Sequence, residues 1–185
     1  SGARLLRRPA MTDARRSGNW LTRILDAITR FVGRAVAWLI VPMVASLVYE
    51  VIARYVFDAP TLWAYDMTYM LYGTFFMLGS AWTLQRGGHI RTDTFYAEWS
   101  PRRRALVDAT CYVLFFLPAM VVFLDLGAEY FWKSFQQNER IVTSPWLPIV
   151  WPFKFVMPLT AALLIVQGVS ELIKSVQVIL RRTPA

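Results

Sequence analysis

The fold class is decided by residues 35–66, which read AVAWLIVPMVASLVYEVIARYVFDAPTLWAYD. A run of fifteen residues without a formal charge precedes Glu50, and a run of nineteen follows Asp66. Each run is long enough to enter a bilayer, yet each adjoins an ionisable side chain. Charged side chains at membrane depth are costly, so Glu50, Arg54 and Asp66 require either a partner or a function.

The composition favours a membrane protein that crosses the bilayer several times. Of the 185 residues, 56% are hydrophobic, which is more apolar surface than one soluble core of this size can bury. The net charge of +8 does not indicate nucleic acid, because the basic residues cluster at the ends of apolar segments. We therefore expect membrane lipids around the chain and no nucleic-acid partner.

Four apolar segments predict an all-α membrane protein with four transmembrane helices. At about 1.5 Å rise per residue, each segment can cross a hydrocarbon core of about 30 Å. Helices are expected because a helix satisfies its own backbone hydrogen bonds in lipid. The predicted spans are about 36–53, 62–84, 105–130 and 150–173. They form one membrane domain over residues 20–178. We expect residues 1–19, before this domain, to be disordered or left by cloning. Residues 179–185 are expected to form a cytoplasmic tail.

The distribution of arginine and lysine predicts the orientation in the membrane. Sixteen of the twenty basic residues lie before span one, between spans two and three, or after span four. Cytoplasmic loops carry an excess of Lys and Arg, so both termini and the central loop should be cytoplasmic. Tryptophans near both sets of span ends agree with a pair of aromatic belts.

The segment before span one predicts an additional helix on the membrane surface. From residue 20 to residue 32, apolar side chains recur at helical spacing, while Arg23, Asp26 and Arg30 occupy the other face. This pattern is typical of an amphipathic helix that lies at the interface. Gly33 is expected to bend the chain between this helix and span one.

The loop between spans two and three contains the candidate inner-interface residues His89, Arg91 and Asp93, which follow a Gly-Gly helix stop. His89 and Asp93 are types that bind metal, but a third ligand is missing nearby. A hydrogen-bonded turn in a short interfacial segment is therefore the preferred interpretation. Ser100-Pro101 should begin span three, with Ser as N-cap and Pro as the first helical residue.

Glu50, Arg54 and Asp66 form the candidate structural ion pair. Glu50 and Arg54 are spaced i, i+4 with the acid first, which lets them pair on one helix face. Asp66 is expected either to cap its own helix, where the N-terminal dipole favours a negative charge, or to reach Arg54 across the turn. A proton or ion site built on these residues is the competing interpretation.

The loop between spans three and four is a stiff, aromatic segment that cannot form one long helix. The candidate functional residues of this outer loop are Ser144, Pro145, Trp146 and Trp151. Beside this loop, a helix-to-helix ion pair is expected between Lys154 of span four and an acidic residue of span three, Asp125 or Glu129.

The sequence contains no pattern that indicates catalysis or a bound cofactor. There is no Gly-rich phosphate loop, and no Ser/His/Asp or Cys/His arrangement has a suitable base. His89 is the single histidine and Cys111 the single cysteine, so bis-histidine haem and an intrachain disulfide are both excluded. We expect a protein that is not an enzyme and that holds neither cofactor nor metal.

Several short motifs follow one another along the chain in a fixed order. They are EVIARYVF at 50–57, Trp63 with Asp66, residues 79–93 ending in GGHIRTD, SPWLP at 144–148, and Gln167-Gly168 with Glu171. Their order and spacing resemble the small membrane subunit of tripartite ATP-independent periplasmic (TRAP) transporters. Asp66 is a departure, because members of that family often carry Glu there.

The resemblance implies a scaffold subunit in a bacterial inner membrane. Such subunits have four membrane helices and hold a large multi-span permease subunit that carries the substrate and sodium sites. A periplasmic binding protein delivers the substrate, usually an organic acid. The resemblance also implies that the loop around Ser144 to Trp151 forms part of the docking surface for that protein.

Two other functions stay open from the residues alone. One is a membrane anchor of a respiratory complex, which often has few helices. The other is a self-contained small transporter that uses Glu50 as its proton site. The position of Glu50 near a span end, one helical turn from Arg54, counts against the second.

Overall fold

The computed structural model describes residues 20–86 and 100–180 of the chain, without the side chain of Pro101. In these two ranges every regular element is a helix, which confirms the all-α prediction. The elements are α1 (Trp20–Ala37), α2 (Ile40–Val56), α3 (Ala64–Gln85), α4 (Pro101–Cys111), a π-helical segment (Tyr112–Phe116), α5 (Leu117–Gln136) and α6 (Trp151–Leu180).

Three helical stretches are long and apolar enough to cross a membrane. They are Trp20–Val56, which joins α1 and α2, Arg102–Gln136, and Trp151–Leu180. At 22 residues α3 is also long enough, but its tyrosine, threonine, glycine and serine residues make it less apolar, and it is not among the three. The prediction of a fourth span therefore stays a prediction.

The longest helix, α6, lies at the centre of the bundle. It packs against α1, α3, α4 and α5, whereas α2 packs mainly on α3. In its most apolar window 44% of the residues are buried, compared with none in the window of Arg102–Gln136. The core residues around it are Val36, Leu78, Ala81, Val156 and Leu163. A Cβ at Gly168 would lie 2.5 Å from the Phe116 ring, so only glycine permits this approach.

Helix α1 differs from the prediction in where the chain turns. The helix continues through Gly33 and ends at Ala37, and the turn falls at residues 38–39. The predicted position of the bend, at Gly33, is therefore wrong. That glycine instead packs against the side chain of Trp82. A Cβ at position 33 would lie only 2.6 Å from it. The glycine therefore allows close helix packing.

The polar face of α1 also points elsewhere than expected. Thr22 and Thr29 are buried against the bundle and Asp26 is half-buried, whereas Trp20 and Phe31 are exposed. Arg23 and Arg30 are exposed on a separate side of the helix. The helix thus presents a polar face to the protein and an apolar face outward, as suits a helix covered by lipid.

The helical stretch Arg102–Gln136 changes its winding once. Ser100 is the N-cap of α4 and accepts a bond from the Arg103 N–H at 3.4 Å, which confirms the predicted helix start. The π-helical segment then precedes Pro118. A proline ring in a regular helix collides with the carbonyl four residues earlier, here Leu114, and a locally wide turn relieves that contact.

Several predictions lie outside the described residues. They concern residues 1–19, the short interfacial segment with His89, Arg91 and Asp93, and most of the tail at 179–185.

Candidate functional site

Glu50 fixes the turn between α2 and α3. One of its carboxylate oxygens accepts a bond from Arg54 Nε at 2.9 Å and pairs with the rest of the guanidinium. The other accepts the backbone N–H of Thr61 at 2.9 Å and also its hydroxyl. Asp58 reverses the chain with φ 50°, in the left-handed region that Asp tolerates better than most residues. Glu50 therefore ties the end of α2 to the residues just before α3.

Asp66 connects the start of α3 to the loop between α5 and α6. Its carboxylate accepts a hydrogen bond from the hydroxyl of Ser144, 78 residues further along the chain. In the structure Arg54 pairs with Glu50, and the contact described for Asp66 is the one to Ser144 and not one to Arg54. Ser144 Oγ also accepts the Trp146 N–H at 3.2 Å. The start of α3 and the loop before α6 are therefore held together at one end of the bundle, which we call the loop end.

The loop at residues 137–150 has an ordered backbone. Asn138, at φ 46°, ends α5, and the Glu139 N–H donates to the Ser134 carbonyl at 3.1 Å in a Schellman-type cap. The two legs of the loop are bonded by Ile141 N–H to the Pro148 carbonyl at 3.1 Å. A second bond runs from Val150 N–H to the Glu139 carbonyl at 3.0 Å. The predicted stiffness of this loop thus has a hydrogen-bonded basis.

The candidate docking residues occupy two different positions in this loop. Pro145 is exposed and Trp146 is 41% exposed, so both present side chains at the surface. Ser144, at 6%, is buried and supports the loop from beneath. Trp151 packs against the rings of Phe131 and Phe135, at centroid distances of 6.5 and 5.3 Å. The sequence analysis missed the most exposed large hydrophobic side chain of the loop, which is Val142 at 85%.

Lys154 is a buried cation at the loop end. It forms an ion pair with Glu139 and lies 3.8 Å from the centre of the Tyr130 ring. The expected pair with an acid of span three is wrong, because Lys154 pairs with Glu139 of the loop, and Glu129 pairs with Lys133 one turn along its own helix. The Lys154 ammonium holds the pKa of Glu139 below its ordinary value of 4.5. This pair anchors the first leg of the loop to α6.

An open cleft lies beside Lys154. Its volume is about 370 Å³, and it is lined by α3, by α6 and by residues 139–143 of the loop, together with Tyr130 of α5. Aromatic and methionine side chains form much of its lining, and Glu139, Arg140 and Lys154 add charge. The cleft was not predicted, because it depends on how three helices pack.

A second polar cluster lies at the opposite end of the bundle. The Asp26 carboxylate of α1 accepts bonds from Ser170 at 2.8 Å, Gln167 at 3.3 Å and Lys174 at 2.9 Å, all on α6. Lys174 also contacts Glu171 at 2.9 Å. Of these contacts, only the pair of Glu171 and Lys174 follows from local spacing, at i, i+3. Polar residues at i, i+3 and i+7 in an otherwise apolar helix are the signal that could have found the rest.

The bundle is thus braced by polar contacts at both ends. At the loop end Glu50, Asp66 and Lys154 hold turns and helix starts in place, and at the other end Asp26 holds α1. In the described ranges no group of three or more His, Cys, Asp or Glu side chains is arranged to hold a metal ion. The fold and these sites define an all-helical membrane protein whose charged side chains stabilise helix packing.

The comparison with known families identifies the chain. The family described as tripartite ATP-independent periplasmic transporters, DctQ component, matches residues 43–178, from the start of α2 to near the end of α6. The chain therefore belongs to this family, the small permease component of TRAP transporters, and is a membrane protein of transport. A search of curated proteins found no match.

Proposed function

We propose that this chain is the scaffold subunit of a sodium-coupled transporter that imports organic acids. In this role it stabilises the large permease subunit in the bacterial inner membrane and helps to dock the periplasmic binding protein. Membership of the DctQ family supports the association with both partners. The sodium coupling and the organic-acid substrate rest on the family resemblance alone.

The proposed arrangement has four spans, formed by α2, α3, the α4–α5 stretch and α6, with α1 at the cytoplasmic interface. Both termini are cytoplasmic in this arrangement, which the excess of basic residues before α2, between α3 and α4, and after α6 supports. The loop end is then periplasmic. The exposed face of α1, with Trp20 and Phe31, supports an interfacial position.

The hydrogen bond between Asp66 and Ser144 is the observation that carries the docking role. It fixes a solvent-exposed loop to the start of a membrane helix, so that the loop presents Val142 and Trp146 on a rigid base. Preorganised surfaces bind partners at a lower entropic cost than mobile ones. A loop held in this way is suited to receive a binding protein.

The experiment is co-expression with the cognate large subunit and binding protein. We expect the chain to co-purify with the large subunit and sodium-driven uptake to be lost when the chain is deleted. Uptake that survives the deletion, or a chain that transports substrate alone in liposomes, would contradict the scaffold role.

A further inference from the structure

Helix α3 carries an exposed stripe, in which Tyr69 also contacts the Phe153 ring of α6 at a centroid distance of 5.7 Å. Its members are exposed, apart from the half-exposed Gly79, and they recur with the alternating spacing of four and three that places side chains along one side of a helix. The stripe consists of Tyr65, Tyr69, Tyr72, Phe76, Gly79 and Thr83.

The chemistry of this stripe does not suit lipid. Tyr72 is 52% exposed and lies about 12 Å along the helix from Ala64, at a rise of about 1.5 Å per residue. In the described ranges the hydroxyls of Tyr65, Tyr69 and Tyr72 have no hydrogen-bond partner. Hydrocarbon cannot supply one, and an unpaired hydroxyl in an apolar medium is unfavourable.

Helix α2 shows what a lipid-facing surface of this chain looks like. Between Ile40 and Val48 its exposed large side chains are all aliphatic, and its exposed tyrosines, Tyr49 and Tyr55, follow only towards the loop end. The aliphatic residues are Ile40, Val41, Val44, Leu47 and Val48. The stripe of α3 carries aromatic rings with hydroxyls, a glycine and a threonine instead. This difference also accounts for the lower apolar character of α3 compared with the other proposed spans.

Gly79 adds an independent geometric argument. A Cβ at this position would meet nothing within 4 Å, so the glycine is not required by packing within the chain. Small residues on exposed helix faces let a neighbouring transmembrane helix approach closely. The surface also continues into the cleft beside Lys154, because Tyr69 belongs to both.

We propose that the α3 stripe is the surface that binds a transmembrane helix of the large permease subunit. This inference rests on the proposed scaffold function and assigns the contact to one helix face. The partner helix packs closest at Gly79 and places polar groups opposite Tyr69 and Tyr72, whose hydroxyls both donate and accept.

The first test uses a photoreactive benzoylphenylalanine at Tyr72 of the full chain, co-expressed with the cognate large subunit. We expect irradiation to produce an adduct with the combined mass of the two subunits. The control is the same residue at Val48 on the aliphatic face of α2, which should give no such adduct. Adducts at Tyr72 with lipid only, or with a second copy of this chain, would overturn the proposal.

The second test is Gly79→Leu, with Ala45→Leu on the exposed face of α2 as the matched control. We expect Gly79→Leu to reduce the co-purified large subunit about tenfold and Ala45→Leu to leave it unchanged. The open space at Gly79 predicts that the variant purified alone keeps its helicity and elution volume.

The outcomes separate this proposal from the scaffold function. If both variants retain the large subunit equally, the stripe is not the contact, while co-purification still supports the scaffold role. If the unmodified chain does not bind the large subunit, the scaffold role itself fails.

Discussion

Glu50 has two roles that a spacing argument cannot separate. It pairs with Arg54 on the same helix, and it accepts both the backbone N–H and the hydroxyl of Thr61 across the turn. Arg54 is 53% exposed, so the ion pair is screened by solvent and contributes little. The bonds to Thr61 define the geometry of the turn, because they join two helices.

We therefore expect Glu50→Leu to lower the unfolding temperature in detergent more than Arg54→Leu. The Arg54 variant should lose at most about 1 kcal/mol, the upper range for exposed pairs. The double exchange Glu50→Arg with Arg54→Glu restores a pair but leaves Thr61 without its acceptor, so it should remain less stable than wild type. Full recovery in the exchanged protein would show that the Thr61 bonds contribute nothing.

The pair of Glu139 and Lys154 predicts an acid-sensitive loop end. The ammonium lowers the pKa of Glu139 in the folded state, so the stabilisation is complete above the unfolded pKa and is lost as pH falls through the folded pKa. We expect the unfolding temperature to drop below about pH 4.5 in wild type, and less so in Glu139→Gln.

Glu129→Gln provides the control for this pH dependence. Glu129 also pairs with a lysine, but both side chains are more than half exposed. Its removal should leave the pH dependence of the wild type in place, because exposed pairs contribute little. Identical pH profiles for wild type and Glu139→Gln would contradict the assignment.

At the scale of elements, α1 depends on one carboxylate. Asp26 receives three donor groups from α6, and its backbone carbonyl accepts from Gln85 Nε2 of α3 at 2.7 Å. Thr22 and Thr29, which contribute little apolar area, lie on the same face. The attachment of α1 around Asp26 is therefore polar, whereas Gly33 and Val36 add apolar packing further along the helix.

We predict that Asp26→Ala releases α1 from the bundle. Loss of hydrogen bonds to a charged group costs about 1.5–3 kcal/mol each, reduced here by partial exposure. Amide hydrogen exchange in α1 should rise about tenfold or more, while exchange in α6 changes little. Arg23→Ala, on the exposed side of α1, should leave exchange unchanged. Equal exchange in both variants would mean that Asp26 does not hold the helix.

The elements themselves were largely predictable, because apolar runs between charged residues define where helices lie. The predicted start of span three at Ser100 was confirmed, since capping depends on neighbouring residues. The error at Gly33 arose because its packing partner, Trp82, belongs to another helix. Contacts such as Asp66 with Ser144 could not be predicted, since hydrogen bonds between residues 78 positions apart leave no periodic signal in one sequence.

On the scale of the whole molecule, the loop end is a surface that a hydrogen bond and an ion pair hold against the membrane bundle. Lys154, Asp66 and the cap at Asn138 hold the loop from three sides, and its exposed side chains project from this base. In the proposed orientation this surface faces the periplasm. Large exposed aromatic side chains on such surfaces frequently dominate binding energies.

We expect Trp146→Ala to raise, by about tenfold, the binding-protein concentration that gives half-maximal uptake. The maximal uptake rate should stay unchanged, because the substitution leaves the membrane helices intact. Trp132→Ala, on the exposed surface of α5, is the control and should not alter either value. Uptake of Trp146→Ala that matches wild type at limiting binding protein would exclude this contact.

The turn between α2 and α3 affects how the protein is made. α3 does not reach the apolar character of the other proposed spans, so it would partition into the bilayer poorly if it emerged alone. It follows α2 after only residues 57–63, and Glu50 joins both sides of this turn. During synthesis the two helices are therefore expected to enter the membrane together. The hairpin, and not the single helix, would be the unit of insertion.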